Sequence, residues 1–110
     1  MALQIIATSY PNPNARSYSL NDNGQRMSES LTARVFSPPF RVLGQSWYEV
    51  GIPGRTMLSG IFKGIGGSIS LIFLRPEELL VVKKVSADWD EIDHCVIEAA
   101  RKAFNPKAKD

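Results

Sequence analysis

Cysteine and histidine are almost missing from this chain: Cys95 and His94 are the only ones in 110 residues. A single thiol excludes an intrachain disulfide and suits a reducing compartment, so a cytoplasmic location is the expectation. It also excludes a thiolate-held metal cluster within one chain, which needs several cysteines. Successive helical residues point about 100° apart, so His94 and Cys95 do not form a nucleophile–base pair. Long apolar runs are missing too. Nothing approaches the roughly 20 residues that cross a bilayer. The opening "MALQIIATSYP" lacks the basic start of a signal peptide. Nor does one sign of charge dominate, with 13 Lys and Arg against 11 Asp and Glu and a net charge of +2. No Lys/Arg-rich run marks a nucleic-acid or anionic-membrane face.

What is there is 44% hydrophobic and 22% charged, enough apolar residues for one core and one domain, residues 1–110. "LQIIAT" (3–8) and "ARSYSL" (15–20) read as strands, the second alternating Ala15, Ser17, Ser19 against Arg16, Tyr18, Leu20. Between them stands "TSYPNPNARSY". Pro11 and Pro13 lack an N–H and fix φ, and Asn12 before Pro13 is pushed out of the α region. A rigid turn with two outward amides results. "NDNG" (21–24) is a second turn, and "LTARVF" (31–36) alternates until Ser37-Pro38-Pro39 stops it. Residues 37–54 lack a clean period and read either as a surface excursion or as a strand such as Trp47 to Val50. Thr56 fits an N-cap for a short helix, "MLSGIFKGI", whose Met57, Leu58, Ile61, Phe62 and Ile65 make one stripe. Gly60 and Gly64 weaken that helix by about 1 kcal/mol each relative to alanine, so packing has to hold it.

"SISLIFL" (68–74), the turn Arg75-Pro76-Glu77-Glu78 and "LLVVKK" (79–84) read as a β-hairpin. Ser86 or Asp88 then caps a helix to Phe104, ended by Asn105-Pro106 and followed by a frayed tail, "KAKD". The order strand, strand, (strand), helix, hairpin, helix predicts an α+β, two-layer sandwich: a mostly antiparallel sheet with two helices on one face. If Ile69, Leu71 and Phe73 face the helices, Ile72, Leu74, Leu80 and Val82 line the other face. Apolar residues there suggest a partner surface, unless residues 37–54 cover them.

Most candidate chemistry dissolves on inspection. Asp88, Asp90, Glu91 and Asp93 resemble a hard-metal set, but a regular helix sends them to different faces, whereas they suit the helix N-terminus. "GIFKGIGGS" follows a helix, whereas a phosphate loop follows a strand and opens a helix. Cys95 sits at the edge of the apolar stripe and reads as a packing or boundary thiol, the alternative being a ligand to a cluster shared between chains, and His94 fits an exposed partner for Asp90. Tyr10, Arg16, Tyr18, Arg26 and Arg34 could form an aromatic-basic face for single-stranded nucleic acid, the alternative reading. No catalytic residue, metal site or cofactor emerges, so a non-catalytic recognition role is expected. The candidate partner-binding residues are Pro11, Asn12, Pro13, Asn14, Arg16 and Tyr18, since a rigid exposed turn loses little entropy on binding. The alternative is that the turn only sets the angle between the first two strands.

Tyr10-Pro11-Asn12-Pro13-Asn14 after a first strand, Ile61-Phe62-Lys63 ending a short helix, the hairpin "SISLIFLRPEELLVVKK" and Trp89 opening the last helix resemble the N-terminal domain of NifU-like (Nfu) iron–sulfur scaffold proteins. The resemblance covers most of the chain. It departs at Arg55-Thr56, where the family has Ser-Pro, at the valines and lysines of "LLVVKK", and at residues 37–54, which look like an insertion. Family members hold a cluster in a second domain with a Cys-x-x-Cys pair, which this sequence lacks. The resemblance therefore implies a stand-alone accessory domain in iron–sulfur cluster assembly or delivery, with an iron–sulfur scaffold or client as its protein partner and no cofactor of its own.

Overall fold

Alternation and turn chemistry place five strands, and a computed structural model describes them within residues 5–20, 26–40 and 44–104. Leu3 and Gln4 of the first expected strand, the 21–24 turn, the Asn105-Pro106 stop and the tail lie outside the described residues. Strand β1 is Ile5–Ser9, β2 Ala15–Leu20 and β3 Arg34–Phe36; helix α1 is Gln45–Glu49 and α2 Gly51–Ile65. A 3₁₀ turn over Gly66–Ser68 leads to β4 (Ile69–Leu74), β5 (Leu79–Lys83) and α3 (Trp89–Phe104). The sheet order is β1-β2-β5-β4-β3, every pair antiparallel.

Register sorts the side chains into two faces, because directly paired residues point the same way. One row runs Ser9, Arg16, Val81, Ile72, Phe36, and the next Ala7, Tyr18, Leu79, Leu74, Arg34. Tyr18, Leu79, Val81, Ile72 and Leu74 are fully buried in one core with Trp47, Met57, Leu58, Ile61, Ile92, Val96 and Ala100. All three helices therefore cover this face. The opposite row runs Thr8, Ser17, Leu80, Phe73, Val35.

Strict alternation from Ile69 errs in β4. A register shift between Ile69 and Leu71 inserts Ser70 as an extra residue, so Ile69, Ile72 and Leu74 all face the helices. Leu71 and Phe73 turn outward instead. In β5 the alternation holds, with Leu79 and Val81 inward and Leu80 and Val82 outward.

Residues 45–49 and 51–54 are helical with Val50 as the turn between them, which corrects both the strand at Trp47–Val50 and the N-cap at Thr56. Gly51 (φ +86°) links α1 to α2, and Pro53 falls in the first turn, where its missing N–H costs nothing. A Cβ on Gly51 would lie 2.4 Å from the Glu29 carboxyl carbon, the far end of an exposed side chain that can turn away, so it is the positive φ that calls for glycine there. Trp47 packs edge-on to Phe36, and Phe40 stacks on Phe62 at 4.5 Å. The described part of 37–54 thus lies on the helix side and leaves the outer face bare. Strand β3 starts at Arg34 rather than Leu31 because Ser30 Oγ bonds the Thr32 carbonyl (3.1 Å) and receives Arg34 Nε (2.9 Å), a local turn that competes with the ladder.

The weak glycines of α2 have a packing role. Cβ atoms there would lie 3.2 Å from Ala99 Cβ (Gly60) and 2.7 Å from Cys95 Sγ (Gly64), so α2 and α3 approach at these points.

Candidate partner-binding site

The Pro-Asn turn is held by its own backbone first. Asn12 Oδ1 accepts the Asn14 N–H (2.9 Å), and the Asn12 carbonyl accepts the Ala15 N–H (3.0 Å). The hairpin then takes hold of it: Lys83 N–H donates to the Asn14 carbonyl (2.8 Å) and Lys83 Nζ to Asn14 Oδ1 (3.1 Å). Helix α3 closes the third side, with Trp89 Nε1–H donating to the Pro13 carbonyl (2.8 Å). Pro11, Asn12 and Pro13 are exposed, but the side-chain oxygens of both asparagines are engaged inside the molecule. The expectation of two freely outward amides is corrected to that extent.

Arg16 and Tyr18 continue this clasp along the helix side of β2. Asp93 on α3 accepts Arg16 Nη1 with one oxygen and the Tyr18 hydroxyl with the other. The Arg16 guanidinium also lies over the Trp89 ring, 4.5 Å from its centroid, with Lys83 Nζ at 5.9 Å. Tyr18 is fully buried, and its pKa is pushed far above the usual tyrosine range, first by burial and then by the Asp93 carboxylate. A buried Tyr18 offers no contact to a rigid partner; it orients Asp93. Of the six candidate residues, the structure brings the turn, Arg16 and Tyr18 into one network, but only the turn and part of Arg16 reach the surface.

Asp93, Trp89 and Lys83 belong to this network and carry no sequence signal for it. Each reads as an ordinary residue of its own element, and only the packing of α3 across β2 brings them together. The aromatic-basic face does not assemble: Tyr18 is buried, Arg16 is on Asp93, and Arg34 pairs with Glu49. Tyr10 donates its hydroxyl to Glu78 (3.0 Å), which holds its pKa above the usual range. A shallow groove of about 460 Å³ beside the turn is lined by Thr8, Tyr10, Ser17 and Glu78.

Cys95 is half-buried against α2, with its thiol 3.8 Å from the Gly60 carbonyl, and burial raises its pKa. His94 is exposed. Asp88 Oδ1 accepts the Asp90 N–H (3.1 Å), the capping bond its position favours. Among the described residues no three His, Cys, Asp or Glu side chains are grouped to hold a metal ion, and no helix is long and apolar enough to cross a membrane.

The outer sheet face has a different character. Val35 and Ile6 are each 49% exposed, and Phe73, Leu80, Leu71 and Val82 are half-buried with no described helix over them. Sequence reasoning placed Leu80 and Val82 here but missed Phe73 and Leu71, for want of any sign of the bulge at Ser70.

No family model matches this sequence, and no curated protein does. Solved structures do. The fold is similar to that of a NifU-like protein from Saccharomyces cerevisiae, determined in solution by NMR, with 16% identity and a TM-score of 0.68 over 91% of this chain and 76% of that one. It is also similar to the crystal structure of a protein from Staphylococcus aureus, with 18% identity and a TM-score of 0.60 over 87% of this chain and 96% of that one. At these identities the likeness establishes the fold. The chain has the fold of that NifU-like protein, as the Pro-Asn turn and the order of elements imply.

Proposed function

We propose that this chain is a non-catalytic protein-interaction domain that serves iron–sulfur cluster assembly or delivery by docking on a scaffold domain or its client. The observation that carries the interaction role is the apolar outer sheet face, where Val35 is exposed and Leu71, Phe73, Leu80 and Val82 are half-buried with no described helix over them. The iron–sulfur part draws on the fold shared with a NifU-like protein and on the Pro-Asn turn in its family position. One cysteine suits a helper that holds no cluster itself. The clasp supports the same reading in another way: its charged and polar side chains are used to fix the corner between β1, β2 and α3, which stiffens the sheet that presents the face.

The test is an amide NMR titration of the labelled chain with a separate NifU-like scaffold domain carrying its Cys-x-x-Cys pair. Shifts should gather on β3, β4 and β5 around Val35, Phe73 and Leu80, and Val35→Gln should weaken them. A well-dispersed spectrum that stays silent would remove the iron–sulfur role. Shifts confined to Pro11–Asn14 and abolished by Asn12→Ala would move the docking site to the turn.

A further inference from the structure

The two edges of the sheet are built differently. Strand β3 is three residues long, starts with Arg34 and runs into Ser37-Pro38-Pro39. Short length, a charge and prolines are devices that keep an edge from pairing. Strand β1 has none of them. Its five residues, "IIATS", carry no charge and no proline, and every ladder pair to β2 is in register without a bulge. Along one side of β1, alternate N–H and C=O groups point away from β2.

Among the described residues the helix layer also stops short of β1. Ala7 is exposed, whereas its partner across the ladder, Tyr18, is fully buried. Helix α3 is anchored above β2 by Asp93, and one turn further along the same flank stands half-buried Ile97. The small Ala7 side chain thus leaves a shelf between the sheet edge and the flank of α3, bordered by the half-buried, apolar Ile5 and Leu20.

We propose that the edge of β1 left unpaired by the described residues accepts an extended, proline-free segment of a partner protein as a sixth strand, with a large apolar side chain of that segment seated on the shelf beside Ala7. Main-chain hydrogen bonds supply the pairing, and the shelf supplies the selectivity, as in other strand additions. A second copy of this chain fits less well. Two β1 strands paired over their full length set Ala7 against Ala7 and leave both shelves empty. They also meet only along about 17 Å of strand, a narrow strip beside the roughly 800 Å² per partner that a stable dimer buries. This inference rests on the edge of β1 and on Ala7 at its helix side, apart from the Val35, Phe73 and Leu80 patch, and does not depend on the iron–sulfur reading.

The experiment is selection of a phage-displayed random-peptide library on the immobilised full chain, followed by amide NMR with the enriched peptides. Enriched sequences should alternate with a large apolar residue at every second position and lack proline. Their binding should shift Ile5–Ser9 and Ile97 amides and slow exchange along β1. Ala7→Lys, which charges the shelf, and Ala7→Trp, which fills it, should each weaken binding by about tenfold or more; Val35→Gln should leave it unchanged. Both Ala7 variants alter an exposed position and keep the fold, which the dispersion of the same spectra checks. No enrichment, peptides that bind the two Ala7 variants as well as the parent, or shifts confined to the outer face would overturn the proposal. Concentration-dependent shifts of β1 without peptide would overturn it in favour of a second copy.

Discussion

The Pro-Asn corner and the outer sheet face differ in what they do with their side chains. At the corner, Asn12, Asn14, Arg16, Tyr18, Lys83, Trp89 and Asp93 are bonded to one another or to nearby backbone. On the outer face, Val35, Phe73 and Leu80 meet no described helix and are left to solvent or to a partner. The conspicuous motif is the inward-looking one. Two prolines and two asparagines catch the eye because a tight turn needs special backbone chemistry, and that need is local. A surface suited to docking needs only ordinary apolar residues in the right register, which leaves no motif.

Removing the keystone of the corner is the strongest way to break this contrast. Asp93→Ala strands the Tyr18 hydroxyl in the core and the Arg16 guanidinium beside Trp89, and should cost roughly 2 kcal/mol in urea unfolding. A loss below about 0.5 kcal/mol, the range of a neutral surface change, would mean that the corner is no clasp. A smaller effect comes from pH. The folded-state pKa of Tyr18 is raised, so its contribution is whole below about pH 10, the unfolded value, and falls as pH rises beyond it. The slope should approach 1.4 kcal/mol for each pH unit above 10. Tyr18→Phe should flatten it, and an unchanged slope in that variant would assign the loss to other groups. The smallest effect should come from the outer face, where Val35→Gln should change stability by no more than about 0.5 kcal/mol while weakening the scaffold response. A large loss there would show that Val35 packs as part of the core.

Much of the fold is legible in the residues. Strand β2 matches the alternation of "ARSYSL" end to end, the hairpin turns at Arg75–Glu78, where the Arg75 N–H donates to the Glu78 carbonyl (2.8 Å), and Ile65 ends α2 where Gly66 begins. These are local decisions, made by side-chain period and turn chemistry. The start of α2 is not legible, because Gly51, Pro53 and Gly54 carry loop signals that a first helical turn tolerates. Gly54 is small for a tertiary reason: a Cβ there would lie 2.9 Å from the Met27 carbonyl oxygen. The bulge at Ser70 is equally silent, yet it decides which half of β4 faces the helices.

The candidate site divides along the same line. That Pro11–Asn14 forms a rigid turn follows from the sequence alone, since proline and asparagine restrict their own and their neighbours' torsions. Where the turn's polar atoms go was decided by residues 69 and more positions away, Lys83, Trp89 and, for Arg16 and Tyr18, Asp93. Contacts across such separations depend on how α3 crosses the sheet, and that crossing is set by the collective burial of apolar stripes. By itself the sequence determined the elements, the turns and the class of fold. Only the tertiary structure decided which residues were used up in holding it together and which were left facing outward, because burial belongs to the packed whole and period and propensity to the local chain.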